Sequence, residues 1–327
     1  MTHKSTKSYG ISLARIVCAF GILVYHYMMH ALADSPLLTF ANGNWGSLFV
    51  FVFFLISGYV MYLSNPEIPS LKDFYKKRIL RLMPMFWMVY LVAFIDISLG
   101  NYTLSWGGKP ATIIFSILGI DGLMSGYMPT YYIVGEWFLG VIILCNLFYP
   151  LFLKLFDKLK IWLLPVAGVL AYIALQIPFF DHRNHQNVML SFAVFIAGMV
   201  LKKYELLDKL YFKIISILIA AVVITVRLPI PDTAGHVLAS FGVLNLMYIV
   251  GNALSRFGFA ARVMDFVDPL TYPIFLLHHI VLIRYISMTQ PQGASKHIVV
   301  LLTSTILILI FSWALKTVDK QIKTRKL

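Results

Sequence analysis

Two ionisable residues, Arg15 and His26, stand inside an otherwise apolar run, residues 10–29. About twenty apolar residues is the length a helix needs to cross a bilayer. Eleven positions at about 100° per residue return the two side chains to within roughly 20° of one face, about 16 Å apart along the axis. Charge in hydrocarbon is costly, and by default such residues mark a functional site. A guanidinium can hold a phosphate or a carboxylate, and an imidazole, with an ordinary pKa of about 6.5, can take up a proton near neutral pH. The plainer alternative has Arg15 snorkelling to the interface and His26 making a helix contact.

Four further groups could do chemistry. Arg78 and Arg81 lie three positions apart in PSLKDFYKKRILRLMP, residues 69–84. On a helix they share a face, and two guanidiniums there make a phosphate clamp to which Lys77 adds a third cation. An interfacial amphipathic helix anchored on lipid headgroups explains most of the lysines of this segment, and Pro84 then suits the first turn of the next span. Glu136 and Trp137 open a later apolar run; the carboxylate there can orient a histidine or bind a hydroxyl, or be solvated beside an aromatic-belt tryptophan. Tyr59 closes FFLISGY, whose Ser57 and Gly58 let helices approach closely. His278 and His279 lie in a late apolar run, His278 roughly 13 Å from its start and so expected to be buried.

The elements that must position these residues are membrane helices. The chain has 327 residues, 60% of them hydrophobic, with mean hydropathy +0.81. This is an all-α, polytopic transmembrane bundle forming a single domain over residues 1–327, not a soluble fold. Apolar runs fall near residues 10–31, 46–63, 84–99, 111–124, 132–153, 161–178, 188–201, 211–227, 236–254, 269–289 and 297–315. The run at 111–124 is short, contains Gly119 and closes on Asp121-Gly122. It is expected to be re-entrant or interfacial, which leaves about ten spans and both termini cytoplasmic.

Basic residues support that count. The cytoplasmic side then holds Lys4, Lys7, Lys72, Lys76, Lys77, Arg78, Arg81, Lys154, Lys158, Lys160, Lys202, Lys203, Lys209, Lys213, Arg256, Arg262 and the lysines after 315, whereas the outer loops hold little beyond Lys109, Arg183 and Lys296. The formal charge of +13 is therefore a positive-inside signal, not a nucleic-acid footprint. The polar stretch 181–185 reads as a solvated outer loop. Cys18 and Cys145 both lie in apolar runs and read as core residues, not as a disulfide or a metal site. Lys4, Lys7 and the Ala31-Leu32-Ala33 stretch imitate a signal peptide, but an h-region does not normally contain Arg and His, so the first run is expected to be retained as a span.

Taken together, these motifs resemble the acyltransferase-3 family of integral-membrane O-acyltransferases. The resemblance rests on Arg15 and His26; on Phe53, Phe54, Ser57, Gly58 and Tyr59; on Arg78, Arg81 and Pro84; on the W-F-L-G opening and Y-P ending of residues 137–150; and on the aromatic segment from Tyr272 to His278. It covers essentially the whole chain, in the right order. Three departures stand out. Phe51 occupies a position that is often acidic, His279 follows the late histidine where proline is frequent, and there is no appended hydrolase-like domain.

The resemblance implies an acyl donor, usually acetyl-CoA, on the cytoplasmic side and a glycan acceptor, a surface polysaccharide or its lipid-linked precursor, often outside. It implies no metal ion and no nucleic-acid partner, and places the protein in the plasma or inner membrane. His26, Arg15 and Glu136 are then the catalytic candidates, Arg78, Arg81 and Lys77 the donor-binding ones, and His278, Trp137 and Tyr59 the acceptor-binding ones. The reaction needs a base for the sugar hydroxyl and stabilisation of the thioester oxyanion. Two other readings stay open at this point: a transporter or exporter of a glycan or lipid-linked intermediate, which also suits intramembrane Arg and His but lacks inverted-repeat symmetry, and a non-catalytic membrane scaffold.

Overall fold

A computed structural model describes residues 8–177 and 187–325. Lys4, Lys7, Arg183 and the expected loop at 181–185 lie outside the described residues. Of the described residues 81% are helical, with almost no strand. In chain order the helices are α1 (Tyr9–Ala31), α2 (Trp45–Ser64), α3 (Leu71–Asn101), α4 (Ile113–Leu118), α5 (Asp121–Met124), α6 (Glu136–Leu159), α7 (Leu163–Ala174), α8 (Val188–Lys203), α9 (Leu210–Thr225), α10 (Asp232–Leu254), α11 (Gly258–Val267), α12 (Thr271–Thr289) and α13 (Ala294–Arg325). Seven helical stretches among the described residues are long and apolar enough to cross a membrane, while α9 is apolar but shorter.

The helix starts are written locally. The Asn44 side chain accepts from the Ser47 N–H at 2.8 Å to open α2, and Asn187 accepts from the Leu190 N–H at 3.0 Å to open α8. Ser70 caps α3 by accepting from the Asp73 N–H at 3.2 Å, with the Asp73 carboxylate in the favourable first turn. The short run at 111–124 becomes two helices of 6 and 4 residues, neither long enough to span. Gly119 separates them at φ +71°, a left-handed conformation that costs glycine little.

One expectation needs correction. Residues 71–84 are not a separate interfacial helix; α3 runs unbroken to Asn101 with Pro84 inside it. Proline removes its own N–H and crowds the carbonyl four residues earlier, and neighbouring helices can hold a membrane helix together across that defect. Here the Tyr272 hydroxyl donates to the Leu82 carbonyl at 2.9 Å, two residues before the proline.

The chain forms two compact units. The first comprises the chain up to Tyr25, Asp34–Ile68 and Tyr149–Thr271. In it α2 packs on α8 and α9 on α10. A Cβ on Gly58 would run into the Phe195 carbonyl oxygen, and one on Gly198 into that of Leu55, so the two glycines let α2 and α8 cross backbone to backbone. A two-stranded hairpin, β1 (Thr39–Phe40) and β2 (Gly43–Asn44), is tied to α10 by the Asn44 N–H donating to His236 Nε2 at 2.9 Å.

The second unit comprises His26–Ala33, Pro69–Phe148 and Tyr272–Leu327. Its core is aromatic, with Phe86, Tyr90, Tyr131, Leu139, Phe275 and Leu276 packed together. The outward residues of α13, among them Ile298, Leu302, Ile306 and Ile310, are exposed and apolar, as a lipid-facing surface requires.

Candidate active site

The last turns of α1 and the middle of α12 bring four imidazoles together in the second unit. The His26 ring lies 4.3 Å from that of His279 and 5.1 Å from that of His278, centroid to centroid. Nε2 of His30 is 2.9 Å from Nε2 of His279. The grouping follows from helical period: His26 and His30 are one turn apart on α1, and His278 and His279 are neighbours on α12. Tyr27 fixes the end of α1, since its buried hydroxyl donates to the His297 carbonyl at 3.0 Å.

The four rings are not equivalent. His278 is buried, and its Nδ1 lies 2.7 Å from the Phe275 carbonyl. A carbonyl can only accept, so Nδ1 carries the proton and, in the neutral ring, Nε2 carries the lone pair. His26 and His279 are half-buried and His30 is exposed. His279 also lines an open cavity of about 360 Å³ with Ala93, Asp96, Tyr132, Ile283 and Arg284. Asp96 and Arg284 are ion-paired there at 3.1 Å.

Arg15 belongs to the first unit. Its guanidinium is paired with Asp268 at 3.1 Å, and the Ser12 hydroxyl donates to the other oxygen of that carboxylate at 3.0 Å. Asp268 stands just before α12 and is buried. The pair explains how an arginine is held in an apolar helix: a buried carboxylate neutralises it, and a hydroxyl donates to that carboxylate. Tyr59, in the same unit, is buried in α2 with the Lys202 ammonium 5.9 Å from its ring centre.

Arg78 and Arg81 are on one continuous helix at the expected spacing. Arg78 is half-buried with its guanidinium carbon 5.3 Å from the Phe74 ring centre, while Arg81 and Lys77 are exposed. Tyr75 steadies this part of α3 by donating to the Leu147 carbonyl at 2.9 Å. Trp137 is half-buried in the first turn of α6. Glu136 begins that helix, and its side chain lies outside the described residues.

A buried carboxyl, Asp121, closes the short-helix segment. Burial pushes it up to about 6 from its ordinary 3.8, against the opposing pull of the Ser116 hydroxyl and the Gly122 N–H. Neither the pairing of Asp268 with Arg15 nor that of His30 with His279 follows from the sequence alone. The signals were present, namely an acid immediately before an apolar run and a doubled histidine. Their partners, however, are more than two hundred residues away in the chain.

Seven helical stretches long and apolar enough to cross a membrane, among the described residues, are those of a multi-pass membrane protein. The family is settled by the acyltransferase domain model of the acyltransferase-3 family, which matches residues 8–317. The chain belongs to that family and is a membrane acyltransferase. No curated protein and no solved structure shows a match.

Proposed function

We propose that the protein transfers an acetyl group from cytoplasmic acetyl-CoA to a hydroxyl of a cell-surface polysaccharide or its lipid-linked precursor, in the plasma or inner membrane. The observation that carries this reading is the imidazole group around His26, 5.1 Å from His278 and bordered by an open cavity at His279. Proton transfer from a hydroxyl needs a base within reach of a space that substrate can enter. His26 takes the hydroxyl proton as that oxygen attacks the thioester carbonyl. The tetrahedral intermediate then collapses, the carbon–sulfur bond breaks, and the CoA thiolate leaves. Direct transfer asks less of the protein than an acyl-imidazole intermediate, which would need shielding from water.

The remaining residues take supporting roles. Arg78 and Arg81, with Lys77, hold the donor's phosphates. His278 and Trp137 contact the acceptor, and Glu136 orients an imidazole or a sugar hydroxyl. Arg15, neutralised by Asp268, is a positioning residue on the donor side. The topology consistent with this layout has ten spans, namely α1, α2, α3, α6, α7, α8, α9, α10, α12 and α13. Both termini are then cytoplasmic by the positive-inside rule.

The test is glycan composition in cells with the gene intact, deleted, and restored. Loss of O-acetyl esters with normal glycan export supports the reading. Loss of export with acetylation intact on the retained glycan would replace it with the transporter.

A further inference from the structure

We propose that His26, His30 and His279 form a binding site for a divalent transition-metal ion of the zinc class, and that occupation of this site silences acyl transfer. The site stands on geometry alone; its inhibitory consequence rests on the reading of His26 as the base.

One ring nitrogen from each of the three residues lies within 4.8 Å of the other two. A tetrahedral zinc ion with Zn–N bonds of about 2.0–2.1 Å holds its nitrogens roughly 3.3 Å apart. The His30–His279 pair, at 2.9 Å, needs to open by only a few tenths of an ångström. Three imidazoles on one such ion have ring centres roughly 5 Å apart. The observed separations of 4.3, 4.9 and 6.3 Å bracket that value, so side-chain rotation can seat an ion.

The framework is suited to it. His26 and His30 stand four positions apart on one rigid helix, the spacing by which helical zinc motifs present two imidazoles to one ion. The third ligand comes from α12. Three neutral nitrogens favour zinc, nickel or copper over magnesium or calcium, which prefer oxygen. An ion has a way in, because His30 is exposed and His279 lines the open cavity. The charges of that cavity, Asp96 and Arg284, cancel each other and do not repel a cation.

Coordination is a ligand exchange without redox change. Three nitrogen–metal bonds form and the hydrogen bond between His30 and His279 breaks. The proton that bridged their Nε2 atoms moves to Nδ1 of its own ring or leaves to water. The lone pair His26 needs for the acceptor hydroxyl is then committed to the metal.

The experiment uses purified, untagged, full-length protein in detergent, titrated with Co²⁺ and read by its visible d–d absorption. One ion per chain is expected, displaced by Zn²⁺ and not by Mg²⁺. His30→Ala and His279→Ala should each weaken binding at least tenfold, whereas His297→Gln, outside the cluster, should leave it unchanged. Absence of stoichiometric binding, or binding indifferent to both alanine variants, would overturn the site. In parallel, Zn²⁺ should abolish transfer in membranes, reversibly with a chelator, and His30→Ala should shift the inhibitory concentration upward at least tenfold. Bound metal with undiminished transfer would overturn the inhibition and the role of His26 while the site itself stands.

Discussion

Arg15 and Asp268 stand 253 positions apart in the chain, and their side chains meet at 3.1 Å. Replacing either by alanine strands the other, so the two single variants and the double variant should lose similar stability. Loss of a charged hydrogen bond costs about 1.5–3 kcal/mol, here towards the low end because the Arg15 side chain is 28% exposed. Arg15→Lys should recover part of it. Unfolding midpoints in detergent give the coupling, and fully additive losses would mean that the pair does not act as a unit.

His26→Ala should lower acetyl transfer about a hundred- to ten-thousand-fold, the usual cost of a missing general base. The protein should still insert and fold, since His26 is only half-buried. His26→Gln keeps a polar group but cannot take the proton, and should be equally inactive. Transfer in membranes, normalised to protein amount, is the measurement. Near-normal activity in either variant would move the assignment to His278, whose Nε2 is the lone-pair nitrogen.

Arg78→Ala and Arg81→Ala should weaken acyl-CoA binding by about ten- to a hundred-fold, the worth of a charge-assisted phosphate contact. Lysine should rescue only partly, for want of the bidentate fork. Equilibrium binding of acetyl-CoA to the purified double variant decides the matter. Unchanged affinity would reduce this part of α3 to a lipid anchor.

Asp121 gives stability a pH dependence. Its folded pKa of about 6 lies above the ordinary 3.8, so the folded state binds the extra proton. The contribution of Asp121 to stability is therefore greatest below about pH 4, falls as pH rises through about 6, and is flat above. Asp121→Asn removes that slope and should stabilise the protein at pH 7.5 by on the order of 1–3 kcal/mol, with little effect near pH 4. Thermal midpoints of both proteins across that range test it, and parallel curves would contradict the assignment.

Topology is open to single-cysteine labelling with an impermeant reagent, because the native Cys18 and Cys145 are both fully buried. Cysteines at 109 and 296 should label in intact cells, and those at 76, 158, 209 and 320 only after permeabilisation. Labelling at 158 in intact cells would sink the ten-span arrangement.

The membrane class, most helix positions and the family were legible in the chain itself. Runs of apolar residues as long as a bilayer is thick admit one secondary structure, because hydrocarbon offers backbone groups no other hydrogen-bond partner. Helical period likewise puts Arg15 and His26 on one face, and puts Arg78 beside Arg81. What the sequence left open was everything carried by contacts between helices. Asp268 meets Arg15 only in the folded chain. His279 adjoins His278 in the sequence, and only the fold sets its ring against those of His26 and His30. Pro84 suits a helix start in the sequence, and in the fold it lies inside α3. Periodicity specifies which face of a helix is special, but the partner that face meets depends on how the helices cross. In this chain that is set by small residues such as Gly58 and Gly198 and by hydrogen bonds spanning hundreds of positions.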